Sequence, residues 1–500
     1  MYELRPASLS RSIFASPRAR GFGIDHLAVF GRTAARLRPH LALAVLVVAG
    51  LVLRVFLMVE YRPAVLSNPD SGRFLHFAHY GDGLFRDTFG PSGYAAFLKL
   101  VRAISTRLEV TIALQHVFGI AAALLVYAAL RRLGAPRWAA LIPAGVLLLS
   151  GDELYLEHAP LSESPFTVLV AGGLYAAVRG LDARPRIGWL ALSGALLATS
   201  SLFRNVGLVL PAVLVAWAAI ALPGGRRPRL IGAAAGAAGA LVVIGVYAAL
   251  AAGTDHGTTG WADVSGWNEY GRSAPFADCT KFTPPAGTRR LCQRTPPDVR
   301  PGSLFYLWYK GSPARALYGH PPIGNSKLGE FGRAAILHQP LDYVGLVLEE
   351  LPRFVDPQAG HRAFSGGGFF SIARRNAGVE RAVSLAVHRD YSAAALHVGG
   401  GVRRIGEWQR TERLGGIVPA AFVLFALAGL LLARELAWRG TLLFALAGGS
   451  LVVLPAATLT LIARYTIPPT PFVAAAAALG AWGIWERLRA RRSPPSPGGS

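Results

Sequence analysis

The chain has 500 residues, of which 52% are hydrophobic and only 16% charged, with a mean hydropathy of +0.39. Those values exclude a string of soluble domains and point to an all-α polytopic membrane protein. The formal net charge of +23 would suggest nucleic acid in a soluble protein, but its placement excludes that partner, because the basic residues gather in alternate connections between apolar runs.

Residues 1–40 form a basic tail running from Arg5 to Arg38. About forty residues precede the first apolar run and no small-residue cleavage site follows it, so this run reads as a retained span and not a secretory signal. Runs close to the ~20 residues that cross a bilayer recur at 41–58, 113–129, 138–150, 161–178, 187–203, 206–222, 230–252, 415–433, 441–463 and 466–485, so about ten spans are expected. Arg131, Arg137, Arg179, Arg186, Arg226, Arg229, Arg434, Arg439 and the tail at Arg487 to Arg492 then share one side with the amino terminus. The positive-inside bias makes that side, with both termini, cytoplasmic.

This threading divides the chain into a cytoplasmic tail 1–40, a membrane core 41–252 whose first exterior loop is 59–107, an exterior segment 253–414, carboxy-terminal spans 415–485 and a cytoplasmic tail 486–500. The exterior segment holds both cysteines, Cys279 and Cys292. An oxidising exterior favours a disulfide between them, worth on the order of 3 kcal/mol for a ring of this size; two free thiols is the other reading. Residues 365–401 are rich in Gly and Arg. Residues 330–351 have helical apolar spacing with Pro340 as a break or kink, which predicts a helix on the exterior surface.

The first exterior loop carries the leading candidate for chemistry. Asp70 stands where a membrane surface meets water, followed by Phe74, Leu75, Phe77 and Ala78, whose spacing predicts a helix lying on the bilayer. Asp82 and Asp87 in the same loop fit turn or helix caps. The next exterior stretch, GDELYLEHAPLSES, concentrates Asp152, Glu153, Glu157, His158 and Glu163. Glu163 at the end of a span reads either as a functional acid or as a first-turn acid beside capping Ser162 and Ser164. Glu157 and His158 with Asp70 are candidate ligands of a divalent metal, although the spacing is not diagnostic. Arg204 and Arg464 are exterior guanidinium groups near the membrane, suited to snorkelling or to holding a phosphate. Arg54, Gln115 and His116 fit interhelical hydrogen bonds.

These residues resemble a known family. The acid after the first span with RFLHFA, then PSGYAAFLKLV, LSESPF, HQPLDYVGLVLEEL and ARYTIPPTPF, is similar to the GT-C superfamily of polytopic glycosyltransferases. Its bacterial members include relatives of the protein O-mannosyltransferases and the lipid A aminoarabinose transferases. The resemblance covers roughly residues 41–204 and 335–485, while 253–319 matches no pattern. It implies a hexosyl- or pentosyltransferase of the bacterial plasma membrane that works on the cell envelope. The donor would be a polyprenyl-phosphate sugar and the acceptor a glycan, lipid or protein at the exterior face. Asp70 would be the general base of an inverting transfer, and Arg464, Arg204, Glu163, His158 and Glu157 would bind substrate. Trp261, Trp267 and Trp308 would help select the acceptor. Many members carry a second acid where this chain has Ser71, so a divalent metal stays an open cofactor. The competing readings are a flippase or transporter of a lipid-linked precursor, which tends to show inverted repeats absent here, and a non-catalytic envelope-assembly scaffold.

Overall fold

An apolar run can cross a bilayer as a helix because every backbone group is then satisfied within the segment, and the computed structural model of this chain is mostly helical. It describes residues 40–66, 68–79, 83–254, 260–261, 263–356, 387–412 and 416–492. The basic tail 1–39, Asp82, the Gly- and Arg-rich residues 365–386 and the tail 493–500 lie outside the described residues. Residues 1–45 and 46–500 form two units; of the first, only 40–45 are described, at the opening of helix α1.

Each of the ten apolar runs falls mainly on a helix. In chain order these are α1 (Leu41–Glu60), the short α2 (Pro69–His79) and α3 (Gly93–Ile104), α4 (Leu108–Arg132), α5 (Arg137–Leu149), α6 (Gly151–Glu157), α7 (Glu163–Gly180), α8 (Ile187–Ser201), α9 (Val209–Ala221) and α10 (Arg226–Ala252). Five short helices follow: α11 (Ser265–Ser273), α12 (Ser303–Trp308), α13 (Pro313–Tyr318), α14 (Asn325–His338) and α15 (Pro340–Glu350). The last group is α16 (Val402–Glu412), α17 (Ile417–Leu432), α18 (Glu435–Thr458), α19 (Ala463–Thr466) and α20 (Thr470–Arg492). By length and composition α1, α4, α10 and α18 can each cross a membrane, and α5 with α6, bent by 52°, makes a fifth if counted as one span. The chain is a multi-pass membrane protein. Its helices approach closely where small residues face each other: a Cβ on Gly194 of α8 would collide with the Gly236 carbonyl of α10.

A charged side chain is locked inside this bundle. Arg54 of α1 is buried and donates from Nε and Nη2 to the two carboxylate oxygens of Glu157 on α6, at 2.8 and 2.6 Å. Its Nη1 also reaches the carbonyls of Leu148 (2.8 Å) and Gly50 (3.0 Å). A buried charge is tolerated only when paired and hydrogen-bonded this fully. Gln115 of α4 adds two bonds to the carbonyls of Glu157 and Ala159, at 2.8 and 2.7 Å.

Two expectations change. The apolar face of α2 does not lie on a bilayer: Phe74, Leu75 and Ala78 are buried against Tyr94, Leu98, Leu108 and Tyr391. Packing against the protein removes as much apolar surface from water as a membrane would. Trp267 is fully buried, with Nε1 donating to the Ile323 carbonyl at 3.0 Å, and cannot offer a face to an acceptor. It belongs to a second core formed by α11 to α14, with Tyr270, Phe282, Leu291, Tyr306 and Phe331. Cys279 and Cys292 pack against that core and are disulfide-bonded. Pro340 separates α14 from α15, sitting at the first helical position, where its missing N–H costs nothing.

Candidate active site

Asp70 is set by its local sequence. Asn68 Oδ1 accepts from the Asp70 backbone N–H at 3.0 Å, and Pro69 opens the helix, so Asp70 lies in the first turn of α2. Glu163 is the first residue of α7, where Ser162 makes no side-chain cap and Ser164 Oγ instead donates to the Gln115 carbonyl at 2.7 Å. Arg204 leaves α8 in an extended conformation. Arg464 lies on the single turn α19, between α18 and α20.

These four residues meet. Arg464 donates from Nη1 to Asp70 Oδ2 at 2.5 Å and from Nε to Glu163 Oε1, which also accepts from Arg204 Nη1. The Arg204 guanidinium lies over the Tyr465 ring, 5.3 Å from its centroid. On the other side Arg73 donates to Asp70 Oδ1 at 3.2 Å and to Asp87 Oδ2 at 2.5 Å. The result is a chain of alternating charge: Asp87, Arg73, Asp70, Arg464, Glu163, Arg204. Formal charges in the row cancel. Of its three acids, Asp87 and Glu163 are buried, their side chains 4% and 1% exposed, while that of Asp70 between them is 37% exposed. Asp70 is therefore the acid that a substrate can reach.

Burial pushes the Asp70 carboxyl upward, but the Arg464, Arg73 and Arg204 guanidinium groups outweigh it and hold the group down at about 2. Several buried polar atoms next to the row in sequence have no partner: Ser71 Oγ, Glu163 Oε2, Thr167 Oγ1 and Asn205 Oδ1. Buried polar atoms normally find a partner. An unpaired carboxylate oxygen and amide oxygen both ask for donors, such as hydroxyls or water.

Glu157 and His158 take different partners from Asp70. Glu157 holds Arg54 and, through Oε2, His116 Nδ1 at 2.7 Å. His158 donates from Nε2 to the Tyr61 carbonyl at 2.7 Å, and its Nδ1 faces His116 Nε2 at 3.0 Å. Burial and the neighbouring His116 lower its pKa to about 3, against the Tyr61 bond, so it stays neutral. Both side chains are buried and engaged by their own chain. Among the described residues no three His, Cys, Asp or Glu side chains are arranged so that they could hold a metal ion. The neighbours of Asp70 are guanidinium groups, which repel a cation, so the residues do not fit a metal.

Arg73 and Asp87 were not anticipated in these roles. Arg73 lies three residues after Asp70, a spacing that pairs opposite charges on one helix face, and that signal was available. Asp87 also accepts from the Phe89 N–H at 2.9 Å, so the expected turn is present and hides the second role. Beyond it, Phe89 stacks on Trp308 with ring centroids 6.0 Å apart, and Trp308 is 49% exposed. Trp261 packs edge-on against Tyr247.

No protein-family model matches the chain, and no curated protein matches it. Among solved structures it is similar to the oligosaccharyltransferase AglB from Archaeoglobus fulgidus, in complex with an inhibitory peptide and a dolichol-phosphate. The identity is 13% and the TM-score 0.41, over 93% of this chain and 53% of that one. It is also similar to ArnT from Cupriavidus metallidurans bound to undecaprenyl phosphate, with 15% identity and a TM-score of 0.34, over 91% and 82%. The chain spans about half the length of the archaeal enzyme. Both likenesses are distant, so the functional reading is built on this chain's own geometry.

Proposed function

We propose that this chain is a membrane glycosyltransferase of the GT-C kind. It would move a hexosyl or pentosyl group from a polyprenyl-phosphate donor to a glycan, lipid or protein acceptor of the cell envelope. The observation that carries the reading is the single row in which four distant segments bring Asp70, Arg464, Glu163 and Arg204 together. Two guanidinium forks beside an accessible carboxylate suit an anionic leaving group on one side and an acceptor hydroxyl on the other. The buried, partnerless Glu163 Oε2 and Asn205 Oδ1 beside the row would be satisfied by donors that enter when Arg464 and Arg204 turn to the phosphate. About ten spans, cytoplasmic termini and an exterior site holding 59–107 and 253–414 complete the proposed topology in the bacterial plasma membrane.

The donor phosphate competes with Asp70 and Glu163 for Arg464 and Arg204. As Arg464 turns to the phosphate, Asp70 loses the partner that most weakens it as a base and can accept a proton. In an inverting step the acceptor oxygen forms its bond to the anomeric carbon and gives its proton to the Asp70 carboxylate. The bond from that carbon to the phosphate oxygen breaks, and its electron pair leaves with polyprenyl phosphate, stabilised by Arg464. General-base help of this kind contributes about 10²–10⁴ in rate. The test incubates the purified protein with radiolabelled polyprenyl-phosphate hexoses and pentoses and an envelope extract as acceptor source. Release of polyprenyl phosphate with label passing to the extract supports the reading. Label crossing the bilayer uncleaved would identify a flippase instead, and neither outcome a scaffold.

A further inference from the structure

Arg464 is carried by a strap that does not hold itself. After α18 ends, Leu459 departs from helical geometry (φ −141°, ψ −84°) and Ile462 is extended (φ −100°, ψ 160°). A buried carboxylate from another part of the chain holds the residues between them. Glu350, the last residue of α15, accepts through Oε2 from the Leu461 N–H at 2.7 Å and through Oε1 from Thr460 Oγ1 at 2.9 Å. Oε1 also accepts from Arg272 Nη1 at 2.7 Å, and Arg272 is only 1% exposed. Arg353 closes the same knot, with Nη1 3.2 Å from Thr460 Oγ1. Below it, Leu461 packs with Phe354, Val452, Ala456 and Val473. One turn earlier, Tyr343 donates to the Ala457 carbonyl at 3.0 Å.

We propose that Glu350 is a positioning residue for Arg464: through the Leu461 amide and the Thr460 hydroxyl it fixes the strap, so that the guanidinium reaches the donor phosphate in one geometry. This rests on the transferase reading above. The chemistry explains why an acid stands there. A buried carboxylate is stable only when its oxygens are fully engaged. Here the Arg272 guanidinium and two strap donors engage both oxygens of Glu350. Arg464 lies three residues beyond Leu461, so a shift of the strap passes directly to its guanidinium. Misplacing a substrate-positioning group by about 1 Å can cost on the order of 10² in rate. Arg272 lies on α11 in the disulfide-bearing core and Glu350 ends α15. The same knot thus ties the segment 264–350 to the phosphate-binding arginine.

The test compares Glu350→Gln and the charge-neutral double variant Arg272→Gln/Glu350→Gln with the wild type, as full-length protein in lipid vesicles. Hydrogen exchange over residues 459–466 reads the strap directly, without reference to activity. We expect exchange there to quicken about tenfold or more in both variants, while the interior of α18 stays as slow as in the wild type. Undecaprenyl phosphate, used as a product inhibitor, should then bind about tenfold more weakly, and kcat should fall about 10²-fold with acceptor KM unchanged. The double variant removes both buried charges, so it guards against a simple failure of Glu350→Gln to fold. Unchanged exchange over 459–466 would overturn the clamp. Faster exchange with wild-type inhibition by undecaprenyl phosphate would overturn its role in positioning Arg464. A wild type that neither transfers sugar nor binds undecaprenyl phosphate would sink the transferase reading, and with it the positioning role, while the exchange data would still judge the clamp.

Discussion

Replacing Asp70 with Asn separates chemistry from stability in this site. The substitution keeps the shape and one acceptor oxygen but removes the charge and the basic site. Both cationic partners of Asp70 have a second carboxylate in hand: Arg464 keeps Glu163, and Arg73 keeps Asp87 at 2.5 Å. Asp70 itself is 37% exposed, so its ion pairs are screened by water and their loss should cost no more than about 1 kcal/mol, the range of exposed pairs. Transfer should instead fall by about 10²–10⁴ if the carboxylate takes the acceptor proton, which is about 3–5 kcal/mol of barrier. The assay measures polyprenyl phosphate released from a radiolabelled donor, with thermal unfolding of the same preparation recorded beside it. Full retained activity would refute the general base. A fall in activity matched by an equal loss of folded protein would refute the separation argued from the second carboxylates.

Glu163→Gln should behave in the opposite way, because the Glu163 side chain is 1% exposed and serves both Arg204 and Arg464; removing one member of a buried pair costs about 3–5 kcal/mol, and a thermal shift no larger than that of Asp70→Asn would contradict the difference in burial between the two acids. Because Asp70 is held at about 2, below its unpaired value of 3.8, its paired carboxylate contributes stability that is present above about pH 4 and is lost as pH falls toward 2. In the free enzyme it is therefore already ionised at pH 4, and an acid limb of kcat/KM between pH 4 and 7 that vanishes in Asp70→Asn would show that the arginines do not hold it. Changing Cys279 and Cys292 to Ser should destabilise the core of α11 to α14 by on the order of 3 kcal/mol. Limited proteolysis should then cut first within residues 264–339, and cleavage elsewhere at first would count against an independent core there.

Much of the secondary structure was legible in residue order. Apolar runs mark helices because the bilayer leaves the backbone few other ways to satisfy its hydrogen bonds, and each of the ten runs lies mainly on a helix. Pro340 marked the break between α14 and α15 for an equally local reason, the absence of an N–H. The paired cysteines were visible from their company on one predicted side. Other features were misread because a local pattern has two physical uses. The apolar face of α2 could meet lipid or protein, and only the folded chain shows Tyr391 and Tyr94 against it. Trp267 could stack on a sugar or fill a core, and it fills the core.

What the sequence determined by itself was which residues could do chemistry, since a carboxylate or guanidinium near a membrane surface has a short list of uses. What only the tertiary structure decided was which of them meet. Arg464 is 394 residues from Asp70 and 301 from Glu163 along the chain, and no periodicity or cap signal spans such distances. Their meeting depends on the packing of α2, α7 and the strap after α18. The same packing gave Glu157 and His158 to Arg54 and His116, where their charge and hydrogen bonds are spent inside the bundle. Long-range ion pairs arise from how whole helices stack, and that information is spread over every contact surface in the protein.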